Sequence, residues 1–156
     1  MPNWCEGQLK IRGKIADLKN FVLNALEPVD CTGANTGEIL ITGEDDNFFE
    51  TSYIEHSVWL KDTRRHFCDI DSIDVYADDP ETPTILVVPM RAAWCIDADG
   101  LLVLCQKYNV DMKIQGFEQG GMFSQIIEIV DGEIIQDETI EYDDWDWDCP
   151  CPLLGG

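Results

Sequence analysis

Between Val110 and Tyr142 the chain reads VDMKIQGFEQGGMFSQIIEIVDGEIIQDETIEY, three strand-like stretches separated by Gly120-Gly121 and by Asp131-Gly132. In a strand, successive side chains point to opposite faces. Asp-Gly between two such stretches is a favoured hairpin turn, because both of its residues tolerate positive φ. Three consecutive antiparallel strands follow, and the rest of the chain must pack on the sheet they begin.

The remaining periodicities fill in that sheet and its cover. GQLKIRG (7–13) alternates Leu9 and Ile11 with Lys10 and Arg12 and reads as a strand. KIADLKNFVLNAL (14–26) repeats apolar residues at 15, 18, 21, 22, 25 and 26, the stripe of an amphipathic helix. Further strands are expected at Glu38–Thr42, Ser72–Tyr76 and Thr84–Trp94, where Pro89 implies an edge or a bulge. Residues 48–67 fit no single period. IDADGLLVLCQKYN (96–109) reads as a second helix after an Asp-rich N-terminus, with Gly100 weakening it. At 156 residues and 45% hydrophobic, the chain can bury one core. The expected fold is therefore α+β, with two helices on one face of a mainly antiparallel sheet. Acids begin to dominate near residue 136, which divides the chain into a domain at 1–136 and an acidic tail at 137–156 packed on that domain.

Charge limits the function classes. Thirty-one acids against ten bases give a net charge of -21. Binding phosphates takes clustered Lys and Arg, so the chain is expected to bind neither nucleic acid nor an anionic membrane, and basic surfaces are its natural partners. The opening residues lack a basic region followed by an apolar stretch, and no run has the length of a membrane span. A cytoplasmic protein is the expectation. Seven scattered cysteines in such a chain are expected to be mostly buried thiols.

The opening MPNWCEGQLKIRG, together with MRAAWCIDADGLLVLCQKYNVDMKIQGFEQGGMFSQIIEIVDGEII (90–135), resembles a family of small proteins of phages, plasmids and proteobacterial genomes that carry a YubB-type ferredoxin-like domain. The matching positions are Ala93-Trp94, Phe117-Glu118, Gly120, Phe123 and Gly132. Cys95-Ile96-Asp97 stands where the family usually has Ser-Pro-Pro, and the tail from Asp137 matches no part of its pattern. The resemblance implies a ferredoxin-like antiparallel sheet and a mobile-element origin. It supplies no catalytic residues and implies no cluster, and the cysteine spacings fail the runs that iron-sulfur clusters use.

Motifs for chemistry are sparse. His56 and His66 sit in no triad or elbow context, and GFEQGGMF lacks the Lys-Ser/Thr of a phosphate loop. An enzyme, which would need a concave pocket with a convergent His or Cys, is not expected, nor is a cofactor. His66, Cys68, Cys149 and Cys151 are conceivable zinc ligands, but each pair is separated by one residue where zinc knuckles use two to four. The acid runs lack the Gly and terminal Glu of a calcium loop. LLGG at the end matches the Gly-Gly of ubiquitin-like modifiers, which would require an exposed, extended tail.

The acids themselves carry the leading expectation. One candidate group is Asp69, Asp71, Asp74, Asp78 and Asp79. The other is Asp137, Glu138, Glu141, Asp143, Asp144, Asp146 and Asp148, with Trp145 and Trp147. If 143–149 is extended, Asp144, Asp146 and Asp148 form one row with a spacing of about 6.8 Å, and both tryptophans dock behind it. Such a row imitates a nucleic-acid backbone. The expected function is a non-enzymatic anti-defence inhibitor, anti-CRISPR or anti-restriction, that blocks the nucleic-acid site of a basic host protein. The alternatives are a structural or regulatory accessory domain whose charge serves solubility, and a protein-protein binder anchored by Trp145 and Trp147.

Overall fold

The computed structural model describes residues 2–156. It contains eleven strands and three helices. In chain order these are β1 (Trp4–Gly13), α1 (Ile15–Ala25), β2 (Leu26–Val29), β3 (Ile41–Glu44), β4 (Phe48–Thr51), β5 (Ser57–Leu60), β6 (His66–Cys68), β7 (Asp74–Tyr76) and β8 (Thr84–Ala93). They are followed by α2 (Ala98–Tyr108), β9 (Asp111–Glu118), β10 (Phe123–Val130), β11 (Glu133–Glu141) and α3 (Trp145–Asp148). Eight strands form one sheet in the order β11-β10-β9-β1-β8-β6-β5-β2, and β3-β4-β7 form a second. All the strand pairs are antiparallel.

This overturns the two-helix ferredoxin-like expectation. The fold is mostly antiparallel β, and its helices are short, with 11, 11 and 4 residues. The added architecture comes from strands of three and four residues, β2 to β7. Strands that short display too few side chains to establish a period, which is why 48–67 fits none.

The long elements form where the alternation places them. Val130 pairs with Glu133 across Asp131 (φ 51°) and Gly132 (φ 73°), the two-residue turn with both φ positive. On β1, Leu9 and Ile11 are buried while Gln8, Lys10 and Arg12 are exposed. The inward face meets α1 through Leu18, Phe21 and Val22 and α2 through Leu101 and Leu104, all in one core. Phe21 and Tyr108 join the two helices edge to face at 5.7 Å. Burying side chains of this size stabilises by about 1.5–3 kcal/mol each.

Pro89 lies neither on an outer strand nor at a bulge. β8 is interior, and its register with β1 runs unbroken through Gln8↔Pro89. However, β6 pairs with β8 only as far as Cys68↔Met90, so Pro89 sits just past the end of that ladder and breaks no pairing. The thiols of Cys5, Cys68 and Cys105 are pushed up to about 12, chiefly by burial, and pack as small apolar groups.

Candidate functional site

The tail folds back over the sheet face opposite the helices. On that face Phe117 and Ser124 are cross-strand partners. Tyr142 Oη and Ser124 Oγ share a 2.9 Å hydrogen bond, and Trp145, 5% exposed, packs with Phe117 and Cys149 in a small cluster. Trp145 Nε1 donates to the Pro152 carbonyl at 2.9 Å. The final residues continue along β1: Trp4 and Gly156 exchange two backbone hydrogen bonds of 3.0 and 3.1 Å, and Gly155 N donates to Glu6. A Cβ at Gly155 would collide with the Phe117 carbonyl, and its φ of +84° favours glycine. The Gly-Gly end is thus seated in the fold, not held out as an extended tag.

Residues 143–149 do not form the extended acidic row. Trp145–Asp148 is one helical turn: the Asp144 carboxylate accepts from Trp147 N, and the Asp148 carboxylate accepts from Asp144 N. Asp at a helix start satisfies an N–H that would otherwise be orphaned, and here that preference overrides the alternation. The tryptophans part company as a result. Trp145 docks, while Trp147 is 86% exposed beside the exposed acids Asp146 and Asp148.

The β11 acids are divided as well. The register slips between Glu128↔Gln136 and Ile129↔Ile134, leaving Ile135 as the extra residue of a bulge. Asp137 therefore lies opposite the buried Ile127, and Gln125 donates to it at 3.5 Å. Glu138 lies opposite Ile126, on the other face. Glu141 ends the strand and Asp143 follows it, both exposed.

The other candidate group sits elsewhere. Asp74 is on β7 in the second sheet, paired with Glu50. Asp79 accepts from Glu81 N, Thr82 N and Thr82 Oγ1, which lowers its pKa and closes the loop before β8. Asp78 lies beside it, and the Asp71 carbonyl accepts from Ile54 N. Asp69 accepts from Ser57 Oγ at 2.6 Å and lies 3.4 Å from Arg91. Of this group only Asp74 lies on the second sheet; Asp69 follows β6 of the eight-stranded sheet, and Asp78 and Asp79 lie in the loop between the two.

No family model, curated protein or solved structure matches the chain. Function must therefore be argued from geometry. Seven of the ten bases are held in ion pairs by seven different acids, so among the described residues 24 of the 31 acids have no cationic side-chain partner within 4 Å. Among the described residues, no helix is long and apolar enough to cross a membrane. Among the described residues, no three His, Cys, Asp or Glu side chains are grouped to hold a metal. His66 in particular is engaged at both ring nitrogens: Nε2 accepts from Asp97 N, which leaves Nδ1 to donate to the Arg64 carbonyl, both at 2.8 Å.

Sequence reasoning passed over one feature. A cleft of about 500 Å³ opens beside β1, β5 and β6, lined by Trp4, Cys31, His56, Arg65, Phe67 and Arg91 among others. Its residues come from five separate segments, which no motif search would join. The available signal was the scarcity of bases, since Arg64-Arg65 is a fifth of the chain's ten within two positions. Cys31 and His56 share the wall, and no hydrogen bond orients either side chain among the described residues.

Proposed function

We propose that this chain is a non-enzymatic acidic binding protein that occupies the basic nucleic-acid site of a partner. One observation carries the reading: Trp147 stands exposed on a turn of aspartates whose backbone is fixed by Asp144, Asp148 and the buried Trp145. Tryptophan is among the side chains enriched at the anchoring positions of protein interfaces. The surrounding carboxylates, part of an excess of 21 negative charges, steer it toward Lys and Arg and compete there with phosphates. The mobile-element origin implied by the resemblance belongs to the same proposal and makes a bacterial defence effector the natural target.

The test is capture from a bacterial lysate at low salt with the tagged wild-type chain, followed by salt elution and competition with added DNA. The expected result is a nucleic-acid-binding protein that DNA displaces. Trp147→Ala should weaken its capture by about 2 kcal/mol or more. Joint neutralisation of Glu138, Glu141, Asp143 and Asp146 to amides should flatten the salt dependence. A captured protein indifferent to DNA, or a salt profile unchanged by neutralisation, would refute the reading. The second reading, an accessory domain whose charge serves solubility, draws on the division of the acids between two sheets. It predicts no loss of capture in either variant.

A further inference from the structure

We infer that the cleft beside Trp4 is a binding site for a small phosphate monoester. Independently of the acidic turn, it rests on how two arginines are placed in a chain otherwise dominated by carboxylates. The Cζ atoms of Arg65 and Arg91 lie 5.9 and 5.1 Å from the centroid of the Trp4 ring, so two guanidinium groups converge on one aromatic wall. Arg65 has no carboxylate within 4 Å among the described residues, a condition it shares only with Lys10 and Arg64. Arg91 is only loosely committed. Its Nη2 donates to Ser57 Oγ at 3.2 Å and lies 3.4 Å from Asp69, while its Nε is buried without a hydrogen-bond partner. A buried guanidinium N–H left unpaired is costly unless something accepts from it.

The backbone that presents Arg65 is pinned on both sides. Arg64 N donates to Asp97 Oδ2, the Arg64 carbonyl accepts from His66 Nδ1, and the Arg65 carbonyl accepts from Ala93 N. Arg65 itself has φ 50°, a left-handed conformation uncommon outside glycine that the surrounding bonds impose. With the backbone fixed, binding has only the Arg65 side chain to order, not the loop that carries it.

The chemistry selects the ligand class. A carboxylate is satisfied by one guanidinium fork, whereas a dianionic phosphate accepts from two at once. His56 on the wall adds a third donor, and Asp30 is the one carboxylate in the lining. Its Oδ1 accepts from the Thr32 and Ala34 N–H groups and the Thr32 hydroxyl, which ties that oxygen into its own loop. A cleft of about 500 Å³ is far larger than a bare phosphate ion needs, and Trp4, Phe67 and Val29 give an organic moiety apolar contact. The overall negative charge does not forbid this, because at about 0.15 M salt charges farther than about 8 Å are largely screened.

The test follows the Trp4 indole N–H by NMR, assigned with Trp4→Phe, during titration at about 0.15 M salt. The probes are adenosine 5′-monophosphate, ribose 5-phosphate without the base, and adenosine without the phosphate. Both phosphate esters should shift Trp4 saturably, and adenosine should not. Arg65→Asn keeps a residue that tolerates left-handed backbone and should weaken the esters on the order of tenfold to a hundredfold. The inference is overturned if neither ester saturates by about 1 mM, if adenosine binds as well as its monophosphate, or if a folded Arg65→Asn protein binds unchanged.

Discussion

Replacing Trp145 with alanine should release the tail without unfolding the domain. Trp145 is 5% exposed and contributes the largest side chain to a cluster with Phe117 and Cys149, with partly buried Tyr142, Cys151 and Leu154 at its margin. An aromatic of this kind buries about 150–250 Å², which at about 25 cal/mol/Å² is about 4–6 kcal/mol. Truncations of buried tryptophans cost about 3–5 kcal/mol. That cluster is separate from the main core, so the loss falls on local opening of residues 142–156. At tenfold for each 1.4 kcal/mol, the opening equilibrium rises by about two to three and a half orders of magnitude. Amide hydrogen exchange reads this directly at Cys149 N, Leu154 N and Gly156 N, which donate to the Trp145, Cys151 and Trp4 carbonyls. Trp147→Ala, at an exposed position, should change the same amides by less than about 0.5 kcal/mol. Equal effects of the two substitutions, or less than a tenfold change in exchange for Trp145→Ala, would refute the division of labour between the tryptophans.

Two further outcomes concern the junction between the β5–β6 loop and α2. The His66 pKa is lowered, with burial as the largest cause; its neutral ring accepts from Asp97 N and cannot do so once protonated. A group whose folded pKa is depressed contributes stability above its unfolded value, so stability should fall as pH drops below about 6.5 toward the depressed value. Urea midpoints measured between pH 7.5 and 5.5 should show this slope in the wild type and lose it in His66→Gln, and a slope retained in the variant would exclude His66 as its source. Gly100→Ala, which in an ordinary helix would stabilise by about 1 kcal/mol, should destabilise by about 1–3 kcal/mol. The added Cβ would stand 2.6 Å from Asp97 Oδ2 and 2.9 Å from the Asp62 carbonyl, and a neutral or higher urea midpoint would refute the clash.

The same junction shows what local sequence conveys and what it does not. Gly100 reads as a weakness in a helix, yet it is the residue that lets Asp97 cap the helix and hold Arg64 N at once. That requirement comes from residues some thirty positions apart and has no local signature. The β9–β10 strands and the two main helices were legible because eight or more residues carried one period each, and the Asp131-Gly132 turn added β11 although its bulge at Ile135 interrupts the alternation. β6, with three residues, is defined only by the β8 strand it pairs with. The tail misled for a related physical reason. The alternation Asp144-Trp145-Asp146-Trp147-Asp148 fits a strand, but an Asp three residues before a free N–H also fits a helix cap. No neighbouring strand supplies hydrogen bonds there, so the cap prevails. The cleft follows the same logic from the other side. Trp4↔Ala93 and Phe67↔Arg91 are settled by register across β1, β8 and β6, and only that register turns an N-terminal tryptophan and two distant arginines into neighbours.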